Sequence, residues 1–226
     1  MTTTMRTSFV LAACLLGFGA GCHGEPADYT DEIDPIGPTV REQLGGRQEF
    51  AIAPYIPERG GSFVSGEVGG DLAGEPETVA LPVAGGHVTA RALDDGSVAI
   101  EELVVDLHDV QLTPEQFPPN GLWLTGMQLR LADPITASSA WTEDDQAVVV
   151  SAALDLELDW GLVLSDGERH ELATQTLREL AFQLDVGRIG PGGLELGLGA
   201  FAEGTVWHWA SFVEVSNLSI DLRAQN

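Results

Sequence analysis

Residues 148–164 read VVVSAALDLELDWGLVL, and every even-numbered position of this stretch is apolar. The odd positions Asp155, Glu157 and Asp159 carry carboxylates. Because successive side chains of a β-strand point to opposite faces, this alternation predicts one strand with an apolar face and an acidic face. At about 3.3 Å per residue, the strand would be roughly 55 Å long.

A return strand follows this stretch at once. Ser165-Asp166-Gly167 has the length of a three-residue hairpin loop, with glycine where the backbone needs a positive φ. Continuing the register of this loop places Val150 opposite Phe182, so that the two apolar faces coincide. Arg178 is also even-numbered and so falls on the apolar face; we interpret it as a rim residue or as the partner of a carboxylate. The apolar residues of the return strand keep even numbers: Leu172, Leu180, Phe182, Leu184 and Val186.

The rest of the chain shows the same alternation in shorter runs. Asp94-Asp95-Gly96 predicts a second hairpin. The run 97–112 changes parity twice, which predicts bulges or bends near Glu101-Glu102 and His108-Asp109. A further strand contains Trp123, Met127, Leu129 and Leu131. No stretch of about ten residues after Gly46 has helical periodicity. We therefore predict an all-β fold, an antiparallel sandwich or barrel-like curved sheet with long hairpins and about ten strands.

The amino terminus has the order of a secretory signal peptide. Arg6 precedes an apolar run from Phe9 to Phe18, and small residues then lead to Cys22. The run is about half as long as the roughly 20 residues that cross a bilayer. We therefore expect an exported chain whose first 21 residues are removed.

The residues before Cys22 resemble the lipobox of bacterial lipoproteins. In that family a small residue precedes a cysteine that takes a diacylglycerol and becomes the first mature residue. Ala20 and Gly21 match, whereas Gly19 stands where the family usually has leucine. The resemblance implies lipidation at Cys22 and a membrane anchor, and His23 in place of aspartate favours the outer membrane. An ordinary signal peptide that ends in a cysteine is the alternative.

These observations divide the chain into three parts. We assign 1–21 to the signal peptide, 22–47 to an acidic, flexible tether rich in proline and glycine, and 48–226 to a single β-rich domain. Removal of Arg6 with the signal leaves nine arginines against 35 acidic residues, a formal charge of −26. Such a charge excludes nucleic acid as a partner, because binding it requires a basic surface.

The sequence contains no G-x-S-x-G or H-E-x-x-H motif, and we predict no catalytic residue, cofactor or metal site. The first hypothesis is a non-enzymatic domain of the cell envelope, which binds a lipid, a glycan or another extracellular ligand or has a structural accessory role. An apolar stripe is its possible ligand-facing surface, unless it is simply core: Leu154, Leu156, Leu158, Trp160, Leu180, Phe182 and Leu184.

The alternative hypothesis is a secreted glycan-active hydrolase. Neighbouring carboxylates of the ladder Asp155, Glu157 and Asp159 would stand about 6.6 Å apart, within the range of glycosidase pairs. Two further candidates are the pair His108-Asp109, for catalysis, and the pair Trp207 and Trp209, for stacking on a sugar. We expect the ladder to be a solvated outer face and the tryptophans to be core.

Overall fold

The computed structural model describes residues 42–69, 77–113, 121–141, 147–163, 167–189, 193–202, 207–209 and 213–226. The signal peptide and Cys22 therefore lie outside the described residues. Apart from one helical turn at 42–44, the regular structure is β. The strands are β1 Gln48–Ile52, β2 Phe63–Gly69, β3 Glu77–Ala92, β4 Val98–Leu107, β5 Val110–Leu112, β6 Leu122–Leu131, β7 Ile135–Ala137, β8 Ser139–Trp141, β9 Ala147–Val163, β10 Arg169–Glu171, β11 Gln175–Ile189, β12 Gly193–Ala202, β13 Trp207–Trp209 and β14 Val213–Gln225.

Eight of these strands pair in a closed circuit. The order is β2, β3, β4, β6, β9, β11, β12 and β14, and β14 pairs again with β2. Every pairing in the circuit is antiparallel, so the predicted all-β antiparallel class is confirmed. At one end β1 takes the place of β2 and pairs with both β3 and β14. The short strands pair with members of the circuit: β5 with β6, β7 with β4, β8 and β10 with β9, and β13 with β14.

The core lies inside this ring. In β12, Leu194, Leu196 and Leu198 are buried, whereas Gly197 and Phe201 are at least partly exposed. The other long strands alternate in the same way, because their apolar residues follow the period of the pleat. Leu44, from the helical turn in the stretch predicted as tether, is also fully buried in this core. The packed part of the chain thus begins before β1.

The long hairpin departs from its predicted register. Near the loop the prediction holds, since Leu162 pairs with His170. The pairing of Val150 with Phe182 is wrong, because Phe182 lies opposite Ser151. The lasting shift of one residue arises between β10 and β11, because Leu172, Ala173 and Thr174 face only Asp159 and Trp160 of β9. Two later irregularities, a bulge between Leu177 and Leu180 on β11 and one between Ala153 and Ser151 on β9, cancel each other.

Arg178 lies in the bulge between Leu177 and Leu180. Two residues of β11, Arg178 and Glu179, face the single residue Asp155 of β9. Leu177 and Leu180 are therefore both buried, and Arg178 is exposed. Its predicted place on the apolar side is wrong, because the residue that the chain gains among 172–174 has already turned Leu177 inward and Arg178 outward.

Bulges account for the other parity changes as well. The predicted one in β4 is confirmed, since Thr89 pairs with Glu102 while Ala90 pairs with Ile100. His108-Asp109 lies at the break between β4 and β5. Two further bulges have a residue in the left-handed region, Gly126 in β6 with φ 60° and Asn217 in β14 with φ 51°. Each one lets a long, twisting strand keep its apolar residues inside.

Candidate functional site

The predicted apolar stripe lies in the core of the ring. Its seven side chains are between 0% and 5% exposed: Leu154, Leu156, Leu158, Trp160, Leu180, Phe182 and Leu184. They pack against apolar residues of the other strands. Side chains buried to this degree leave almost no room for a water molecule beside them, so a ligand would have to displace core residues to reach them. Ligand binding by this stripe stays a prediction.

The carboxylate ladder lies on the outer face of β9, and each member has a partner within the protein. Asp159 Oδ2 lies 2.6 Å from Nη2 of Arg130, and Glu157 Oε2 lies 3.7 Å from the same nitrogen. Thr174 Oγ1 donates to Asp159 Oδ1 over 2.6 Å. Asp155 Oδ1 accepts the backbone N–H of Glu179 over 2.8 Å. The ladder therefore ties β9 to its two neighbouring strands.

The other sequence candidates do not converge on a site. Asp109 Oδ1 accepts the backbone N–H of Gly126 over 3.0 Å, and His108 is exposed beside it. The side chains of Trp207 and Trp209 lie outside the described residues. Where side chains are described, no group of three or more His, Cys, Asp or Glu residues is placed to hold a metal ion.

A surface that the sequence did not single out surrounds Trp123. Leu122 and Leu124 point into the core, so Trp123 between them points outward and is 44% exposed. Its cross-strand neighbours are Gln111 on β5 and Val163 on β9, and Val163 pairs in turn with Arg169 on β10. One row of outward side chains thus crosses four strands. We call this row, together with Thr125 and Gly161, the Trp123 face.

Thr125 forms the floor of this face. It is 9% exposed, and its Oγ1 is buried without a hydrogen-bond partner. It pairs with Gly161, where a Cβ atom would lie 3.3 Å from that oxygen. Because Gly161 has no side chain, a narrow notch lies between this hydroxyl group and the backbone oxygen of His170, which a Cβ atom of residue 161 would approach to 3.1 Å. A buried hydroxyl without a partner costs stability, which makes this group unusual in a folded protein.

Arg169 extends toward the strand that carries Thr125. Its Nη2 lies 3.1 Å from the position that a Cβ atom of Gly126 would take. Arg169 belongs to β10 and Gly126 to β6, with β9 between them, so the side chain crosses β9 on its outer face. The residue is exposed, and none of the ion pairs between described residues includes it. Among the described residues it is thus a cation without a carboxylate partner, on a strongly acidic chain.

Sequence reasoning missed this face because Trp123 shares odd parity with Met127 and Leu129, which are buried. The bulge at Gly126 reverses the parity between them. A lone glycine within a strand is the one signal that pointed to such a bulge.

Comparisons with protein-family models, with curated proteins and with solved structures find no match to this chain. Within the described ranges, no helix has the length and apolar character needed to cross a membrane.

Proposed function

We propose that this protein is a non-enzymatic lipoprotein of the bacterial cell envelope that binds an extracellular ligand on the outside of its β-ring. Export and anchoring rest on the signal-like residues 1–21 and on the lipobox resemblance at Cys22. The acylated cysteine would hold the domain at the outer membrane, and the segment that follows would act as a tether.

The observation that carries the binding role is the contrast between the interior and the Trp123 face. The interior is filled by side chains such as Leu156 and Leu180, which are at most 1% exposed. Trp123, by contrast, offers a large apolar surface to solvent near the buried and unpartnered Oγ1 of Thr125. An aromatic ring with one apolar face and polar neighbours is suited to contact a ligand that is itself amphipathic. These features support a ligand on the outer surface.

The anchor is tested in the producing bacterium with a Cys22→Ser variant and a labelled fatty-acid analogue. We expect label in the parent chain and none in the variant, which should also leave the membrane fraction. Equal labelling of the two chains, or no label in the parent, would contradict lipidation at Cys22.

The binding surface is tested by retention on isolated cell envelopes. Full-length chains carrying Cys22→Ser, which removes the anchor, are mixed with envelopes and sedimented. Trp123→Ala should release the chain into the supernatant. Phe201→Ala is the matched control, because Phe201 is 47% exposed on β12, away from the Trp123 face. Equal retention of both variants would count against the Trp123 face as the binding surface.

A further inference from the structure

We propose that the Trp123 face binds a neutral saccharide, an inference that deepens the proposed function and rests on it. The first element is the indole of Trp123, which is 44% exposed. A pyranose ring has a face of C–H groups and an edge of hydroxyl groups. The C–H face packs on an aromatic ring and removes apolar surface from water, while the hydroxyl edge remains free for hydrogen bonds.

The second element is the set of polar groups within reach of that ring. Thr125 is two residues from Trp123 on the same strand, about 6.6 Å along it and on the same outward face until the bulge begins. Its Oγ1 lacks a partner although the side chain is more than nine-tenths buried. Gly161 places no side chain beside this oxygen. A sugar hydroxyl in the notch would give Thr125 the hydrogen bond that the protein does not supply.

Arg169 supplies donors and controls access to the notch. Its guanidinium group carries five N–H donors and forms no ion pair with the described carboxylates. Because its side chain crosses β9 toward Gly126, a ligand that reaches Thr125 must turn it aside. The freed guanidinium group can then donate to the ring hydroxyls. Gln111, exposed on the other side of Trp123, adds an amide that both donates and accepts.

Charge selects a neutral sugar over an acidic one. The chain without residues 1–21 has a formal charge of −26, which repels anions over the whole surface. Glu171, exposed and directly across from Gly161, and Asp109, exposed beside Gly126, bring negative charge to the face itself. Carboxylates accept hydrogen bonds from sugar hydroxyls but oppose a uronate or a phosphate. A mixed set of acceptors and one arginine therefore fits an uncharged polyol.

The proposal is tested by isothermal titration calorimetry on the full chain carrying Cys22→Ser. The probes are cellotetraose, maltotetraose and tri-N-acetylchitotriose, with tetragalacturonate as the charged comparison. We expect at least one neutral probe to bind, and tetragalacturonate to bind at least tenfold more weakly. Trp123→Ala should weaken binding at least tenfold, and Trp123→Phe, which keeps an aromatic face, should weaken it less.

Thr125→Val gives the sharper test, because it removes only the hydroxyl group. It should weaken binding at least threefold while the melting temperature rises. Thr89→Val is its control, since Thr89 is 1% exposed with an equally unpartnered Oγ1 but lies on β3. Thr89→Val and Phe201→Ala should leave the affinity within twofold of the parent.

Two results would contradict the proposal that the ligand is a neutral saccharide. If envelope retention depends on Trp123 and no neutral probe binds, the ligand class is wrong and the binding surface stands. If tetragalacturonate binds as well as the neutral probes, the charge argument fails. If retention does not depend on Trp123, the proposed function itself falls, whatever the titrations give.

Discussion

The backbone N–H of Glu179 donates a 2.8 Å hydrogen bond to Oδ1 of Asp155, at the point where β11 gains a residue against β9. Glu179 has a φ of 57°, which is unfavourable for a residue with a side chain. The bond holds this bulge in place, and the bulge turns both Leu177 and Leu180 into the core. Asp155, which the sequence suggests as a catalytic carboxylate, therefore stabilises a bulge of the sheet.

Asp155→Ala should lower the free energy of unfolding by about 1–2 kcal/mol, because the Glu179 amide loses a charged acceptor. Glu157→Ala is the matched change on the same face, and its contact with Arg130 is a 3.7 Å pair near the surface. Such pairs contribute little, so this variant should stay within about 0.5 kcal/mol of the parent. Urea denaturation of both variants measures the difference. Equal losses would mean that the bulge does not depend on Asp155.

Leu156→Ala and Phe182→Ala should each cost about 2–5 kcal/mol, through lost burial and the cavity left behind. Both side chains are at most 5% exposed. Gln183→Ala, on the exposed side of β11, should change stability by no more than about 0.5 kcal/mol. If the two apolar truncations cost as little as Gln183→Ala, the stripe would be a ligand surface and not the core.

Thr125→Val and Thr89→Val should each raise the free energy of unfolding by about 1–3 kcal/mol, because each removes a buried hydroxyl group without a partner. Thermal and urea unfolding of the two variants test this expectation. A loss of stability at either position would show that its hydroxyl group makes a favourable interaction in solution.

Asp221→Asn should stabilise the protein at neutral pH. Burial raises the pKa of Asp221, and the nearby Arg223 acts in the opposite direction. The folded chain holds the proton of Asp221 more tightly than the unfolded chain does. Below the pKa of the unfolded chain, the carboxyl group is protonated in both states and costs no folding stability. The cost grows as the pH rises through the folded pKa. The gain in melting temperature over the parent should therefore vanish below about pH 4.

Asp133→Asn is the control for Asp221→Asn, since it removes the same charge at an exposed turn position. The effect of Asp133→Asn on melting temperature should be small at every pH. If both variants gave the same pH profile, relief of the overall negative charge would explain the gain, and burial of Asp221 would not.

Some departures from a regular strand could be predicted, and others could not. The bulge at Glu101-Glu102 was predictable, because Ile100 and Leu103 are both apolar and only an added residue can bury both. The bulge at Arg178-Glu179 was not predictable, since Leu180 and Phe182 after it have the same even parity as the apolar residues before β11. The outward position of Trp123 was hidden in the same way by the bulge at Gly126.

The sequence by itself determined the all-β class, the antiparallel hairpins and the burial of most of the apolar residues. These follow from the alternation of side chains along a strand, which is a local property of the backbone. Only the tertiary structure decided the closing of the ring, where β14 pairs with β2, and the composition of the Trp123 face from β5, β6, β9 and β10. Both depend on which strands become neighbours and in what register. Alternation within one strand carries no information about either, because a single bulge in a partner shifts every pair beyond it.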